Sequence, residues 1–566
     1  MAKHRALYLL LGLFFLVVAF INPLRETAMA DDWSYALTVR HLLRTGQYQL
    51  NDWAAANMPV QIYWAAILAK CFGYHLAVLR LSTLALLLVA FVSFYWTLHD
   101  FGVTEDEATL LTAVMALSPP VFFLSFTFQT DVQFLAWQIL ALWLYARALR
   151  RNSYLWMTGG ALAAAAAVGT RQFGVALVAG LVAVWIFSER QRLRRAPFYL
   201  LGLGLPVLAA AWQFSRGIES PTFSQKVRLT EQWAYISDTA RLIGDFFWRP
   251  AVILQYVALF LIPVLPLIAL VAQSAWQKDQ NRRNNPQLRS APSWLPPLTW
   301  LAYLGVAVCF GYFFYLRHVL MPYLAWLLPN NQTADFGFKN HLLLTVFTAS
   351  FAAALVWLLS RRYLNVQFWH EISRPEAFMF FAGLALLGLQ LIYAQFYDVY
   401  LIQFLPFVLL ALGLMSPRWP AWLKATTCGL SLVTLVVSSL WIRGSLERAE
   451  ANWKAAEIAQ THGAAPADIA GNETWSCYHG AFDTWVRQAG GTVAAPSYSG
   501  GHHMHFAFFH FLDQRFSHAS FVLRQSLSPE TTKDTSVIAS VPYRDAFLRA
   551  RQIEIINKQR VSLPAP

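Results

Sequence analysis

Apolar stretches about as long as a lipid bilayer is thick recur along this chain as far as residue 442, and no other feature restricts its fold so strongly. About 20 apolar residues in a helix cross the roughly 30 Å hydrocarbon core, where backbone polar groups have no partners except one another. The stretches fall near 7–23, 76–98, 110–128, 132–149, 154–169, 172–188, 197–214, 250–273, 295–316, 341–360, 377–395, 400–416 and 421–442. They predict an all-α, polytopic membrane protein of about thirteen crossings. The pair 154–169 and 172–188 is short, and fits either two thin spans or a hairpin that does not fully cross. Only 13% of the 566 residues are charged and 57% are hydrophobic, a balance that excludes an ordinary soluble domain of this length.

The charges that remain orient the chain. A net charge of +13 would suggest nucleic acid in a soluble protein. Here the basic residues sit in short runs between apolar segments, as the positive-inside rule expects, and no nucleic-acid partner is implied. Arg147, Arg150 and Arg151, then Arg190 to Arg195, Lys278 to Arg289, Arg361 and Arg362, and Arg418 and Lys424 all fall on one side if the crossings alternate. Lys3 and Arg5 put the N-terminus on that side, inside. The run Leu7–Ile21 reads as an uncleaved first helix, because Asn22-Pro23-Leu24-Arg25-Glu26 is a poor signal-peptidase site. Glu105, Asp106 and Glu107 also fall inside, and Thr104 with Glu107 reads as a capping box. An odd number of crossings puts everything after about residue 443 outside. The chain therefore divides into a membrane domain, 1–442, and a small soluble α/β domain, 443–566, with an N-x-T triplet at Asn472. The predicted location is a cell membrane, by preference the bacterial cytoplasmic membrane. Four cysteines are too few for a disulfide framework; a bridge between Cys71 and Cys477 is conceivable, and cysteine scarcity argues against it.

The first outer loop, about 22–75, holds two amphipathic stretches, 33–45 and 59–72, expected to lie on the membrane surface. Before the first of them stand Asp31 and Asp32. Two adjacent carboxylates at an interface are unfavourable unless they bind something, and each raises the proton affinity of the other, which suits a general base. The structural explanation is a helix cap beside a solvated aspartate. Asp131, at an outer turn before 132–149, has the same two explanations. The crossing count puts all three carboxylates on one membrane face, where they could hold a hydroxyl acceptor or, through oxygen ligands, a divalent cation. The residues themselves require no cofactor.

The order of features resembles a known family. Asp31 followed by Leu43-Arg44-Thr45-Gly46, then Asn57-Met58-Pro59, Ile62-Tyr63-Trp64, Phe72-Gly73 and Leu79-Arg80-Leu81, is similar to the first outer loop of GT-C glycosyltransferases, in particular the bacterial aminoarabinose transferases and protein O-mannosyltransferases. Asp131, Thr170-Arg171-Gln172 and the run Phe396 to Leu401 ending in Pro406 continue the likeness, which covers roughly residues 1–415. Met58, Arg171 and Val399 depart from it, standing where the family usually has Lys, Lys and Arg; Trp33 and Ser34 stand where the amino-sugar transferases often have Pro-Arg. The resemblance implies a GT-C-like architecture and an inverting transfer of a monosaccharide from a polyprenyl-phosphate donor to the hydroxyl of a protein, lipid or glycan acceptor. Asp31 would be the base, Asp32 would orient it or bind the sugar, and Asp131 would place acceptor or base. Tyr35, Tyr63, Asp398 and Tyr400 would contact substrate.

A departing polyprenyl phosphate needs cations at the outer face. Arg171 is the leading candidate because it lies between two short apolar helices, followed by Arg80, Arg40, Arg317 and Lys339, with His318 behind them. Arg80 and Arg317 could equally be headgroup anchors. The histidines of Gly501-His502-His503-Met504-His505 and His510 do not complete a metal signature. Three other functions compete. A flippase or transporter of lipid-linked sugars should show an internal repeat and broken mid-membrane helices. A polysaccharide ligase should place its key residues in a late outer loop, and for a non-catalytic scaffold the acidic pair would be dispensable.

Overall fold

The structure, a computed structural model, describes residues 4–189, 191–284, 338–363, 369, 371–395, 397–416, 418–471, 473–488, 519–526 and 536–558. Among these, six helices are long and apolar enough to cross a membrane: Leu76–Asp100, Thr130–Arg151, Arg192–Glu219, Thr239–Phe260, Arg374–Ile392 and Ala421–Thr461. The consecutive helices Glu105–Leu117 and Pro119–Ser125, bent by 65°, make a seventh if taken as one span. Proline at the start of the second helix of that pair explains the bend, since Pro119 has no amide hydrogen to continue the first. Shorter apolar helices include Arg5–Ile21 and Val399–Met415. The protein is thus a mostly helical, multi-pass membrane protein. Two of the expected spans differ. The stretch 250–273 is broken: one helix ends at Phe260 and the next begins at Leu265, with Pro263 in the turn between. The stretch 295–316 lies outside the described residues.

In chain order α1 is Arg5–Ile21, α2 Asp32–Thr45, α3 Pro59–Phe72, α4 Leu76–Asp100, α5 Glu105–Leu117, α6 Pro119–Ser125, α7 Thr130–Arg151, α8 Tyr154–Thr170, α9 Val175–Ala183, α10 Arg192–Glu219 and α11 Phe223–Ser237. Helices α2 and α3 are the two amphipathic stretches of the first loop. Helix α7 runs through the middle of the bundle, packed on α4 and α8. One end of α7 carries Asp131 and the other Arg147 to Arg151.

That second end is tied by ion pairs. Arg147 meets Asp100 at 2.5 Å, Arg374 meets Glu189 at 2.9 Å, Lys424 meets Asp106 at 3.0 Å, and Arg362 pairs with Glu376. The acidic first turn of α5 therefore helps lock neighbouring helices together. Thr104 occupies the N-cap position of α5 without a side-chain cap bond, so the expected capping box does not form; Glu107 instead turns inward and accepts from the Trp419 amide at 2.6 Å.

The helix Ala421–Thr461 runs unbroken for 41 residues, through the expected domain boundary at 442/443. Against its distal half packs a four-stranded sheet in the order β1-β2-β4-β3, with β1 Ile469–Ala470, β2 Phe521–Ser526, β3 Val537–Arg544 and β4 Ala550–Asn557. β1 runs parallel to β2, and the other pairings are antiparallel. The helices Glu473–Tyr478 and Ala481–Gln488 turn back onto the first loop, where Phe482 meets Trp53 (4.9 Å between ring centroids) and Trp33 (6.0 Å). The N-x-T triplet at Asn472 and the histidine run 502–510 lie outside the described residues.

Candidate active site

A cavity of about 460 Å³ opens where the start of α2, the loop 55–58, the start of α7, the turn after α8, helix α11 and the segment 389–400 converge. This size suits a small-molecule site. Its polar wall holds Asp31, Tyr35, Gln129, Thr130, Asp131, Arg171, Gln172, Arg228, Gln232, Tyr393, Tyr397 and Tyr400.

Asp31 occupies the N-cap position of α2, yet its side chain makes no cap bond. The carboxylate is free of the structural duty that its position suggests, and it faces the cavity instead. The Trp53 side chain hydrogen-bonds it, and Arg228 and Asp131 lie within electrostatic reach. Burial pushes the Asp31 carboxyl above the usual carboxylate range, against the pull of Trp53 and Arg228. Tyr35, one helical turn on, lines the same wall; burial and the nearby Asp31 charge push its phenol well up, so it remains a hydrogen-bond donor.

Asp131 sits in the first turn of α7, 4% exposed, and is likewise no cap, since Gln129 holds that position. Its carboxylate pairs with the guanidinium of Arg171. Arg171 ends α8, and its guanidinium lies 4.3 Å from the centroid of the Tyr400 ring. The pair is neutral overall and makes one rigid wall of the cavity.

Arg228 escaped the sequence reading. Helix α11 begins with a complete capping box, Thr222 with Gln225, and is fixed to the first loop at several points. The Phe223 and Ser224 amides donate to Asp52 at 3.0 Å, Thr222 Oγ1 donates to the Ala54 carbonyl at 2.6 Å, and Gln225 donates to Asn57 at 3.1 Å. That attachment turns Arg228 into the cavity, among Tyr35, Tyr393, Tyr397 and Tyr400. Among the described residues Arg228 has neither an ion-pair partner nor a hydrogen bond, and its Nε is buried and unsatisfied. Capping residues at 222 and 225 were visible in the sequence; nothing there separated Arg228 from its neighbour Lys226. The cavity also holds Met58 and Val399, the positions where the resemblance led one to expect cations, so among the described residues its positive charge comes from Arg171 and Arg228.

Other expected residues are placed elsewhere. Asp32, 3% exposed, is not part of the cavity wall: its Oδ2 accepts from the Met29 amide at 3.3 Å, with the Phe128 backbone also in reach. Burial pushes its carboxyl up to about 7, partly offset by the Phe128 amide and Arg80. Arg80, expected at the phosphate, is 1% exposed and donates to the carbonyls of Pro23 (2.7 Å), Arg25 (2.9 Å) and Thr27 (2.7 Å). It shapes the turn that presents the acidic pair. Arg40 faces away, toward Tyr478, 3.3 Å from its hydroxyl. Tyr63 is exposed and stacks on Tyr48, because α3 turns Ile62 inward and Tyr63 outward. Arg317 and His318 lie outside the described residues, as do the side chains of Lys339 and Asp398. Among the described residues no three His, Cys, Asp or Glu side chains gather as a metal site.

Comparison with known proteins bears on this geometry. Residues 56–213 match the family model for dolichyl-phosphate-mannose-protein mannosyltransferase. Over that segment the chain is similar to GT-C glycosyltransferases, as the order of its sequence features suggests. The matched segment of this glycosyltransferase contains Asp131 and Arg171 but neither Asp31 nor Arg228. No curated protein matches the glycosyltransferase chain. Among solved structures it is similar to ArnT from Cupriavidus metallidurans, in a crystal bound to undecaprenyl phosphate (14% identity, 99% of each chain covered, TM-score 0.37) and in the apo state (14%, 99% of each chain, 0.36). It is also similar to the arabinosyltransferase EmbB from Mycobacterium smegmatis, with 13% identity, 83% of this chain and 42% of that chain covered, and a TM-score of 0.32.

Proposed function

We propose that this glycosyltransferase takes a monosaccharide from a polyprenyl-phosphate donor and transfers it, with inversion, to an acceptor hydroxyl in the cavity between α2, α7 and α11. The observation that carries this reading is that the Asp31 carboxylate, which makes no cap bond, shares one cavity with the guanidinium of Arg228, which has no hydrogen bond among the described residues. A buried guanidinium whose hydrogen bonds are unmade is unfavourable unless a ligand supplies acceptors. The phosphate of a lipid-linked sugar is such a ligand, and guanidinium binds it by charge-assisted hydrogen bonds.

The chemistry needs a base on one side of the sugar and a cation on the other. Asp31 accepts the proton of the acceptor hydroxyl while the acceptor oxygen attacks the anomeric carbon. The bond from that carbon to the phosphate oxygen breaks, and the electron pair leaves with the phosphate, where Arg228 stabilises the developing charge. The Asp131–Arg171 pair holds the wall between them, and the phenol of Tyr35 is placed to donate to a sugar or acceptor oxygen. Asp32 acts behind Asp31 through the backbone at Met29. A divalent cation is not required by this scheme.

The face follows from charge. The basic residues Arg147 to Arg151, Arg362, Arg374 and Lys424 sit at the end of the bundle opposite the cavity, and positive charge marks the cytoplasmic side. The cavity then faces out, together with the sheet and helices after residue 461.

The test uses purified protein in lipid nanodiscs, supplied with polyprenyl-phosphate sugars and candidate acceptors. Release of free polyprenyl phosphate is expected from the wild type and is expected to fall about 100-fold or more in Asp31→Asn. Intact lipid-linked sugar crossing the bilayer with no cleavage would establish the flippase reading in its place.

A further inference from the structure

The turn between β3 and β4 carries two apolar side chains where a soluble protein would place polar ones. Phe547 is 64% exposed and Leu548 46%. Leu548 holds φ +60°, a left-handed backbone that a branched side chain adopts at some expense. The turn is nevertheless firmly built: Asp545 Oδ1 accepts from the Phe547 and Arg549 amides, both at 2.9 Å, and its Oδ2 accepts from Arg551 at 3.1 Å. Arg544 and Arg549 flank the apolar pair and are exposed, with the Arg549 guanidinium 5.2 Å from the Phe547 ring. A fixed turn that presents an aromatic and an aliphatic tip between two cations has the composition of an interfacial membrane anchor.

The height of this turn is set by the long helix beneath it. Forty-one residues at about 1.5 Å each give a rod of about 60 Å, twice the hydrocarbon core, so about half of it stands clear of the bilayer. The exposed large apolar residues on this helix are Trp422, Leu432, Val433, Val436 and Val437, all in its first half. Arg443 is the first charge beyond them, and its guanidinium lies 4.7 Å from the ring of Phe20 at the end of α1. The hydrocarbon boundary on the side of the sheet therefore falls near residues 438–443. At Gly444 the helix touches the hairpin turn: a Cβ there would collide with the backbone of Ala546, so only glycine permits the approach.

We infer that the β3–β4 turn is seated in the headgroup layer, with Phe547 and Leu548 dipping toward the acyl chains and Arg544 and Arg549 meeting lipid phosphates. The occupant of this surface is the bilayer that holds the same chain. Such seating fixes the sheet against the membrane at a second point, besides the helix on which it packs, and it does not depend on the transfer chemistry.

The test reads depth directly. Phe547→Cys carries a spin label in a background with the native cysteines replaced by serine, in nanodiscs of mixed zwitterionic and anionic lipid. Ser540→Cys, exposed about 13 Å up strand β3, is the reference. The expected result is a several-fold higher ratio of oxygen to water-soluble nickel collision rates at 547 than at 540. Equal ratios would place the turn in water. Protection from both reagents would place it against protein, including a second copy of this chain. Either outcome overturns the inference. A photo-crosslinking phenylalanine analogue at 547 in the otherwise native chain avoids the cysteine replacements: lipid adducts are expected, and their absence, or protein adducts alone, would sink the idea.

Discussion

Each member of the Asp31–Asp32 pair has an arginine within electrostatic reach, and the two arginines are employed differently. Arg80, behind Asp32, gives its guanidinium to three backbone carbonyls of the turn before α2. Arg228, across from Asp31, has no protein acceptor among the described residues. In the first cluster both terminal nitrogens of Arg80 are spent on backbone carbonyls, which hold a loop in shape, while Arg80 Nε and Asp32 Oδ1 are buried without a partner among the described residues. The second is open, and a charge left open in a partly desolvated cavity is a place for a charged ligand. Buried arginine beside buried aspartate is thus no indicator of chemistry by itself; what distinguishes the two is whether the guanidinium's terminal hydrogen bonds are already made.

This contrast can be broken most decisively at Asp31. Asp31→Asn keeps the shape and removes the base, and turnover is expected to fall about 100-fold or more, since positioned bases contribute at least that factor. Unchanged release of polyprenyl phosphate would show that the open cluster does not act on the acceptor. Arg228→Ala is expected to lower kcat/KM for the lipid donor by about 100-fold, with partial recovery in Arg228→Lys, because a group that stabilises departing charge acts on this scale. An unaltered donor KM and kcat in Arg228→Ala would move the phosphate elsewhere.

The pH profile sharpens the assignment. Asp31 works only when ionised, and burial raises its pKa, so the rate rises with pH and levels off once the carboxylate has formed. Below that point kcat/KM should fall about tenfold per pH unit. The limb should sit above the usual carboxylate range, and a profile flat down to pH 4 would contradict a buried base.

Arg80→Ala tests the first cluster. It orphans buried carbonyls at about 1–3 kcal/mol each, so thermal stability in detergent should drop clearly, while the donor KM of the protein that remains folded stays near wild type. A changed KM at full stability would reopen Arg80 as a phosphate ligand. The smallest effect is expected at Arg40, which faces Tyr478 and lies outside the cavity: Arg40→Ala should change kcat/KM by less than about fivefold.

Much of the cavity was legible in the sequence because membrane topology limits which residues can meet. Asp31, Asp131, Arg171, Tyr35 and Tyr400 each adjoin an apolar span, and alternation of the spans put the three acids on one face. What it could not supply was rotation about helix axes. Arg80, at the outer entry of the predicted span 76–98, and Arg228, between two predicted spans, are both arginines near the outer face, and only packing decides that one meets carbonyls and the other a cavity. Tyr63 failed for the same reason, since one residue along α3 separates the inward face from the outward. Asp31 and Asp131 also looked like helix caps. They hold cap or first-turn positions without cap bonds, a distinction of χ angles that residue type does not record. The breaks at 261–264 interrupted a run that composition alone had read as continuous, because proline in a turn and proline within a span look alike in hydropathy.

The unbroken helix Ala421–Thr461 makes the alignment of the sheet with the bundle a matter of helical phase. Inserting one residue after Arg443 would swing everything beyond it through about 100° and carry the sheet to another sector of the rim, whereas four residues would bring it back to within about 40°. Length changes in this stretch are therefore expected to come in whole turns or not at all.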